Sequence, residues 1–106
     1  MDRTAEITRE LKRAETARLA GNEGMARVCA RRAAGIAARE FLIRHTAKPH
    51  NVSAYQALLE LSTFPGLAPK MKQSAVHLTT RLTEEFSLPL QVDLIAEARQ
   101  LIGGLS

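Results

Sequence analysis

The stretch ARVCARRAAGIAAREFLIRH, residues 26–45, constrains the fold more than any other part of the chain. Six alanines, five arginines and one carboxylate occupy it, with no proline. Such a composition favours a helix, and its alanines admit close approach of neighbouring backbones. At about 100° per residue, Met25, Val28, Cys29, Ala33, Ile36, Ala37 and Phe41 of a helix over about 23–45 share one broad arc. Ala26, Ala30 and Ala34 run along its edge, and Arg27, Arg31 and Arg39 fall on the opposite side. An apolar face covering half the circumference places this helix at the centre of a bundle, because a surface helix needs only a narrower stripe.

Helical spacing continues on either side. Over about 3–20, Ile7, Leu11, Ala14 and Ala17 recur every three or four residues, and Asp2 or Thr4 is placed to cap the start. Gly21 suits the left-handed conformation that ends a helix and Asn22 suits a cap, so AGNEG reads as a tight turn in an antiparallel hairpin. Glu23–Arg27 and Glu40–Arg44 have the favourable i,i+4 order. Pro49 in TAKPHNVS breaks the pattern, and Ser53 with Gln56 has capping-box spacing ahead of AYQALLELS, with Leu58, Leu59 and Leu61. After TFPGLAP, Pro69 opens a fourth helix expected over about 69–86, with Met71, Ala75, Leu78 and Leu82 facing inward. A last helix, expected over about 90–102, carries Leu94, Ile95, Ala98, Leu101 and Ile102, with Gly103 and Gly104 ending it. Nothing reads as a strand. The expectation is an all-α domain spanning 1–106: an antiparallel helical bundle of four main helices plus a shorter one.

Composition narrows the classes. Aromatics are only 4%, so the core must be built from Leu, Ile, Val and Ala. A lone cysteine, Cys29, excludes an intramolecular disulfide, and MDRTAEITRE lacks the apolar run of a signal peptide. No apolar run approaches the roughly 20 residues needed to span a bilayer, so a cytoplasmic protein without a membrane partner is expected. Charge is uneven: residues 1–50 hold 11 basic and 6 acidic side chains, residues 51–106 only 4 and 5. A basic half attracts phosphate or simply keeps a protein soluble.

The candidate anion or nucleic-acid face is therefore Arg9, Arg13, Arg27, Arg31 and Arg39, since guanidinium groups along a helix grip phosphates bidentately. Against it, Glu6, Glu10, Glu15 and Glu23 neutralise much of that field, and no aromatic is interleaved to stack a base. The three histidines, two of them (His45 and His50) in one expected loop, show no zinc spacing with Cys29 or carboxylates. AGNEG lacks the Lys-Ser/Thr of a phosphate loop, and Ser53 and Ser62 carry no nucleophile signature. Cys29 falls in the apolar arc as an inert core thiol. No catalytic residue, cofactor or metal ligand is assigned.

The opening hairpin, with LAGNEGMARVCARRAAGIAAREFL and its small-residue-rich second helix, resembles the start of HEPN-type domains over about residues 5–45. That resemblance implies a small all-helical bundle pairing as a homodimer, often near a nucleotidyltransferase. Catalytic members carry an Arg and, four to six residues on, a His. RHTAKPH supplies Arg44, His45 and His50. In such a pair the histidine moves a proton at the RNA 2′-hydroxyl and the arginine steadies the phosphate, without metal. The match directly follows the second helix, whereas the family motif is expected later in a chain, and Pro49 interrupts the helix that would orient both groups. The favoured expectation is a non-catalytic protein-interaction or self-association module, a homodimer or the docking partner of another protein. A HEPN-type metal-independent ribonuclease or a nucleic-acid binder is the alternative. The segment SLPLQVDLIAEARQLIGGL, apolar on more than one side, is the expected dimer surface.

Overall fold

The computed structural model describes residues 3–46, 52–80 and 92–105. Over these residues it is all-α, with five helices: α1 (Thr4–Leu19), α2 (Glu23–Thr46), α3 (Ala54–Ser62), α4 (Pro69–Thr79) and α5 (Leu94–Leu105). α2 is the hub. It packs against α1, α3 and α5, while α3 leans on α4 and α4 on α5.

The turns follow their residues. Gly21 sits at φ +81°, the Asn22 N–H donates to Ala17 O at 2.8 Å, and the Gly21 N–H to Arg18 O at 3.0 Å. This left-handed ending satisfies carbonyls that α1 would otherwise leave open. Asn22 Oδ1 then accepts the Met25 N–H at 3.1 Å and starts α2. α1 therefore turns back along α2, so that Ala17 and Ala20 lie beside Met25, and Glu6 beside Arg39. Ser53 Oγ accepts the Gln56 N–H at 3.2 Å and caps α3, and Pro69 stands in the first turn of α4. The start of α1 departs from expectation: Arg3 occupies the capping position without a side-chain bond, Thr4 is already helical, and Asp2 lies outside the described residues.

Three helix ends also depart. α4 stops at Thr79, and Thr80 is extended at ψ 124°. Arg31 of α2 secures this ending by donating to Leu78 O at 2.6 Å and Thr80 O at 2.9 Å. Residues 81–86 of the expected fourth helix, Leu82 among them, lie outside the described residues. α5 begins only after Asp93, whose Oδ1 accepts the N–H groups of Ile95 and Ala96 at 3.0 and 3.2 Å. It runs through Gly103 and Gly104 instead of ending there, because Leu105 beyond them is 6% exposed and belongs to the core. Burying a leucine is worth about 1.5–3 kcal/mol, enough to offset the roughly 2 kcal/mol by which two helical glycines together fall short of alanine.

The core is one cluster of Leu42, Leu58, Leu61, Leu78, Leu94 and Leu101 around the small residues of α2. On α2 the buried residues are Ala26, Cys29, Ala30, Ala33, Ala34, Gly35, Ala37, Ala38 and Leu42. The alanines expected at the edge are thus the centre of the buried face, and Met25 and Val28, expected inside, are 42% and 38% exposed. The physical reason is distance. Alanine and glycine let three helices approach α2 closely, and α3 comes so near that a Cβ on Gly35 would stand 2.2 Å from Ala54 Cβ. Of the larger side chains, Met25, Val28 and Ile43 are turned outward, while Leu42 stays in the core.

Candidate functional site

That rotation of α2 decides where its charges go. Arg27, Arg31 and Arg39, expected as an exposed row, are all half-buried. Arg31 is engaged with the end of α4. Arg39 donates to Val52 O at 3.3 Å just ahead of α3. Arg27 lies near Glu23 and helps lower the pKa of that carboxyl, although Glu23 pairs directly with Arg18 at 2.7 Å across the turn and not with Arg27 as the i,i+4 spacing implied. The five-arginine face is therefore divided: two members stand on α1, and two of the three on α2 hold backbone carbonyls.

What the rotation leaves outside on α2 is Met25, Val28, Arg32 and Ile43, with half-buried Ile36 and Arg39 on the same face at successive spacings of three and four. Arg39 thus shares the face of Met25 instead of lying opposite it. Ile43 is 48% exposed, and Leu19 at the end of α1 is 89% exposed. Beside this face, between α1 and α2, lies a groove of about 440 Å³. Ala17, Ala20, Met25 and Cys29 provide its apolar lining, with Thr16 and Asn22 between them. Arg9, Lys12 and Arg13 stand along it toward the start of α1. Arg9 and Lys12 form no ion pair among the described residues, and Arg13 is held by Glu10 Oε1 at 3.0 Å. A smaller cleft of about 190 Å³, lined by Glu6, Arg9, Glu10, Arg32, Ile36, Arg39 and Ala54, continues the same surface toward α3. Arg9 thus meets Arg13 in the groove and Arg39 in the cleft. Lys12 and Arg32, which the arginine pattern passed over, complete the basic rim. Arg32 was legible as the residue four beyond Val28, and Lys12 as the one three beyond Arg9.

Cys29 is fully buried beneath the groove. Burial, and then the neighbouring Glu10 carboxylate, push its thiol up from the ordinary range, which opposes thiolate chemistry. Glu10 itself leaves Oε2 buried without a hydrogen bond. Arg18 gathers Glu23 and, at 2.8 Å, Asp93, and so fastens the α1–α2 turn to the start of α5. Its hydrogen bonds hold Glu23 low. Asp93 is also low: partial burial works against this, but Arg18 and the N–H groups of Ala96 and Ile95 outweigh it. Where α4 meets α5, His77 Nδ1 lies 3.2 Å from Glu97 Oε2 without hydrogen-bond geometry.

The remaining candidates fall elsewhere. Arg44 and His45 belong to the last turn of α2 and not to a loop. Arg44 donates to Leu105 O at 3.3 Å, and the His45 ring stacks on Phe41 with centroids 4.0 Å apart. His50 lies outside the described residues. Among the described residues no three His, Cys, Asp or Glu side chains gather as a metal site, and no helix is long and apolar enough to cross a membrane. On α5, Leu94, Ile95, Leu101 and Leu105 are buried and Ile102 is half-buried, so the described part of the expected dimer surface closes the core. Leu88 and Leu90 lie outside the described residues.

Among the described residues, fold and surface together give an all-α arrangement of five helices with an apolar groove beside a basic rim. Comparison of the chain with protein-family models, with curated proteins and with solved structures finds no match.

Proposed function

We propose that this chain is a non-catalytic protein-interaction module that docks a partner protein on the outer face of the α1–α2 hairpin. One observation carries the reading: Met25 of α2 stands exposed in the lining of the groove and Val28 is exposed one turn on from it, with Leu19 and Ile43 adding exposed apolar side chains elsewhere on the hairpin. Contiguous exposed apolar surface rimmed by polar groups marks protein contacts. The opposed chemistry is poorly supplied. Cys29 is held as a thiol, two of the candidate arginines hold backbone carbonyls, and Arg44 donates to the end of α5.

The test is site-specific photocrosslinking in cells that naturally make the protein. A crosslinker replacing Met25 should yield discrete protein adducts. The same group replacing Gln73, an exposed residue of α4, should not. Adducts equal at both positions would overturn the reading. So would metal-independent RNA cleavage abolished by both Arg44→Ala and His50→Ala, which would make the resemblance to HEPN domains mechanistic. Sedimentation equilibrium of the purified chain separates the two kinds of partner: a mass that stays near 11.6 kDa over the micromolar range assigns the face to a different protein and not to a second copy.

A further inference from the structure

The groove between α1 and α2 is divided along its length. Arg9, Lys12 and Arg13 stand at one end, and Ala17, Ala20 and Met25 at the other. From Arg9 to Ala20 the groove follows α1 for about three turns, roughly 16 Å at about 1.5 Å per residue. The two halves ask for different things. Arg9 and Lys12 are exposed and form no ion pair among the described residues, and the groove lining holds three basic side chains and no carboxylate. With Glu10 on Arg13 and Glu6 near Arg9 outside that lining, the end keeps a net positive charge. The other end offers mainly methyl and thioether surface, broken by Thr16 and Asn22, with small residues that leave room for an incoming side chain. The geometry points to an acidic amphipathic helix as the occupant. It would be a partner segment of about three turns with Asp or Glu over Arg9 and Lys12, and apolar anchors three or four residues apart seated over Ala17, Ala20 and Met25.

Helix-in-groove docking uses such anchors at i, i+3 or i+4 and i+7. The acidic end matches the rim in sign, which raises the encounter rate and rejects basic segments. A nucleic acid fits less well. The apolar half would contribute nothing to a phosphate backbone, and no aromatic lines the groove to stack a base. This assignment rests on the interaction reading above and names its partner class.

A random peptide library of 16-residue segments, displayed on phage and selected against the intact protein, tests it. The selected sequences should share two or more acidic residues followed by apolar residues at helical spacing. Their binding should fall more than tenfold against the double variant Arg9→Glu with Lys12→Glu, and also against Ala20→Trp, which fills the apolar end. All three positions are exposed, so circular dichroism and thermal melts should show the parent fold in each variant. Replacing the acidic residues of a selected peptide by lysine should restore binding to the charge-reversed protein. Selection of basic peptides, of no common pattern, or of peptides indifferent to these variants would overturn the assignment. So would tighter binding of a 12-nucleotide RNA that weakens steeply with salt and is lost in the double variant. Protein crosslinks at Met25 together with a failed selection would remove the acidic helix and leave the interaction reading standing. Crosslinks equal at Met25 and Gln73 would remove that reading.

Discussion

Gly35 is the tightest point of the fold, and replacing it with alanine measures how far the central position of α2 depends on small residues. A Cβ there would stand 2.2 Å from Ala54 Cβ, 2.6 Å from Ala54 Cα and 3.3 Å from Ala54 C. Carbon atoms in contact normally sit about 3.5–4.0 Å apart, so the start of α3 would have to withdraw by more than about 1 Å. The obstacle is backbone and has no rotamer to change. Withdrawal would also loosen the bond from Arg39 to Val52 O, two residues before Ala54. Overpacking of this kind costs about 1–3 kcal/mol, and alanine recovers about 0.8–1.0 kcal/mol of helix propensity. With backbone on both sides of the clash, the expected net loss is about 1–2 kcal/mol. Gly103 supplies the control: it is also helical, but an added Cβ meets nothing within 4 Å. Gly103→Ala should therefore stabilise, by about 0.5–1 kcal/mol since it lies in a last turn. Urea denaturation followed by circular dichroism should separate the two variants by about 2 kcal/mol. Gly35→Ala as stable as Gly103→Ala would refute the close approach of α2 and α3.

Arg31→Gln should destabilise by about 1–2 kcal/mol, since two charge-assisted bonds to the carbonyls at the end of α4 are lost; an unchanged urea midpoint would return Arg31 to the solvent. Stability should also fall with acid through Arg18. Glu23 and Asp93 are held below their ordinary values, so their contribution is complete above the usual carboxylate range of about 4 and is lost as pH drops through the lowered ones. Both groups are substantially exposed, so the effect should stay below about 1 kcal/mol, and Arg18→Gln should lower stability at neutral pH but hardly at pH about 2. Cys29 should react with a thiol reagent on the order of a hundredfold more slowly in the native protein than in urea, because reaction must wait for opening. Rapid stoichiometric labelling of the native protein would contradict its burial.

Much of the fold is legible in the residues because local signals and packing agree. Gly21 with Asn22, Ser53 with Gln56, and Pro69 each carry a backbone requirement that operates over three or four residues, and each performs it. The signals fail where a distant contact decides. Two glycines normally end a helix, but Leu105 finds space in the core and carries α5 past them. Helical spacing over 69–86 is broken at Thr80, where Arg31 reaches across from α2. No periodicity within either segment contains the partner.

The candidate site was harder to read for a related reason. A helix is ordinarily oriented by its largest apolar residues, and that rule places Met25, Val28 and Ile36 inward and the arginines of α2 outward. In α2 close approach wins over side-chain size. A helix surrounded on most sides can be packed only where its side chains are nearly absent, so Ala30, Ala33, Ala34 and Gly35 take the buried arc. The rotation has two consequences. Arg27 and Arg31 move toward the buried side, where Arg31 becomes useful as a clamp on α4. Met25 and Val28 move out, where each forgoes part of the roughly 1.5–3 kcal/mol that burial of such a side chain is worth. The groove and its apolar stripe are thus the complement of the alanine core: the closer three helices press on α2, the more of its large side chains are left at the surface.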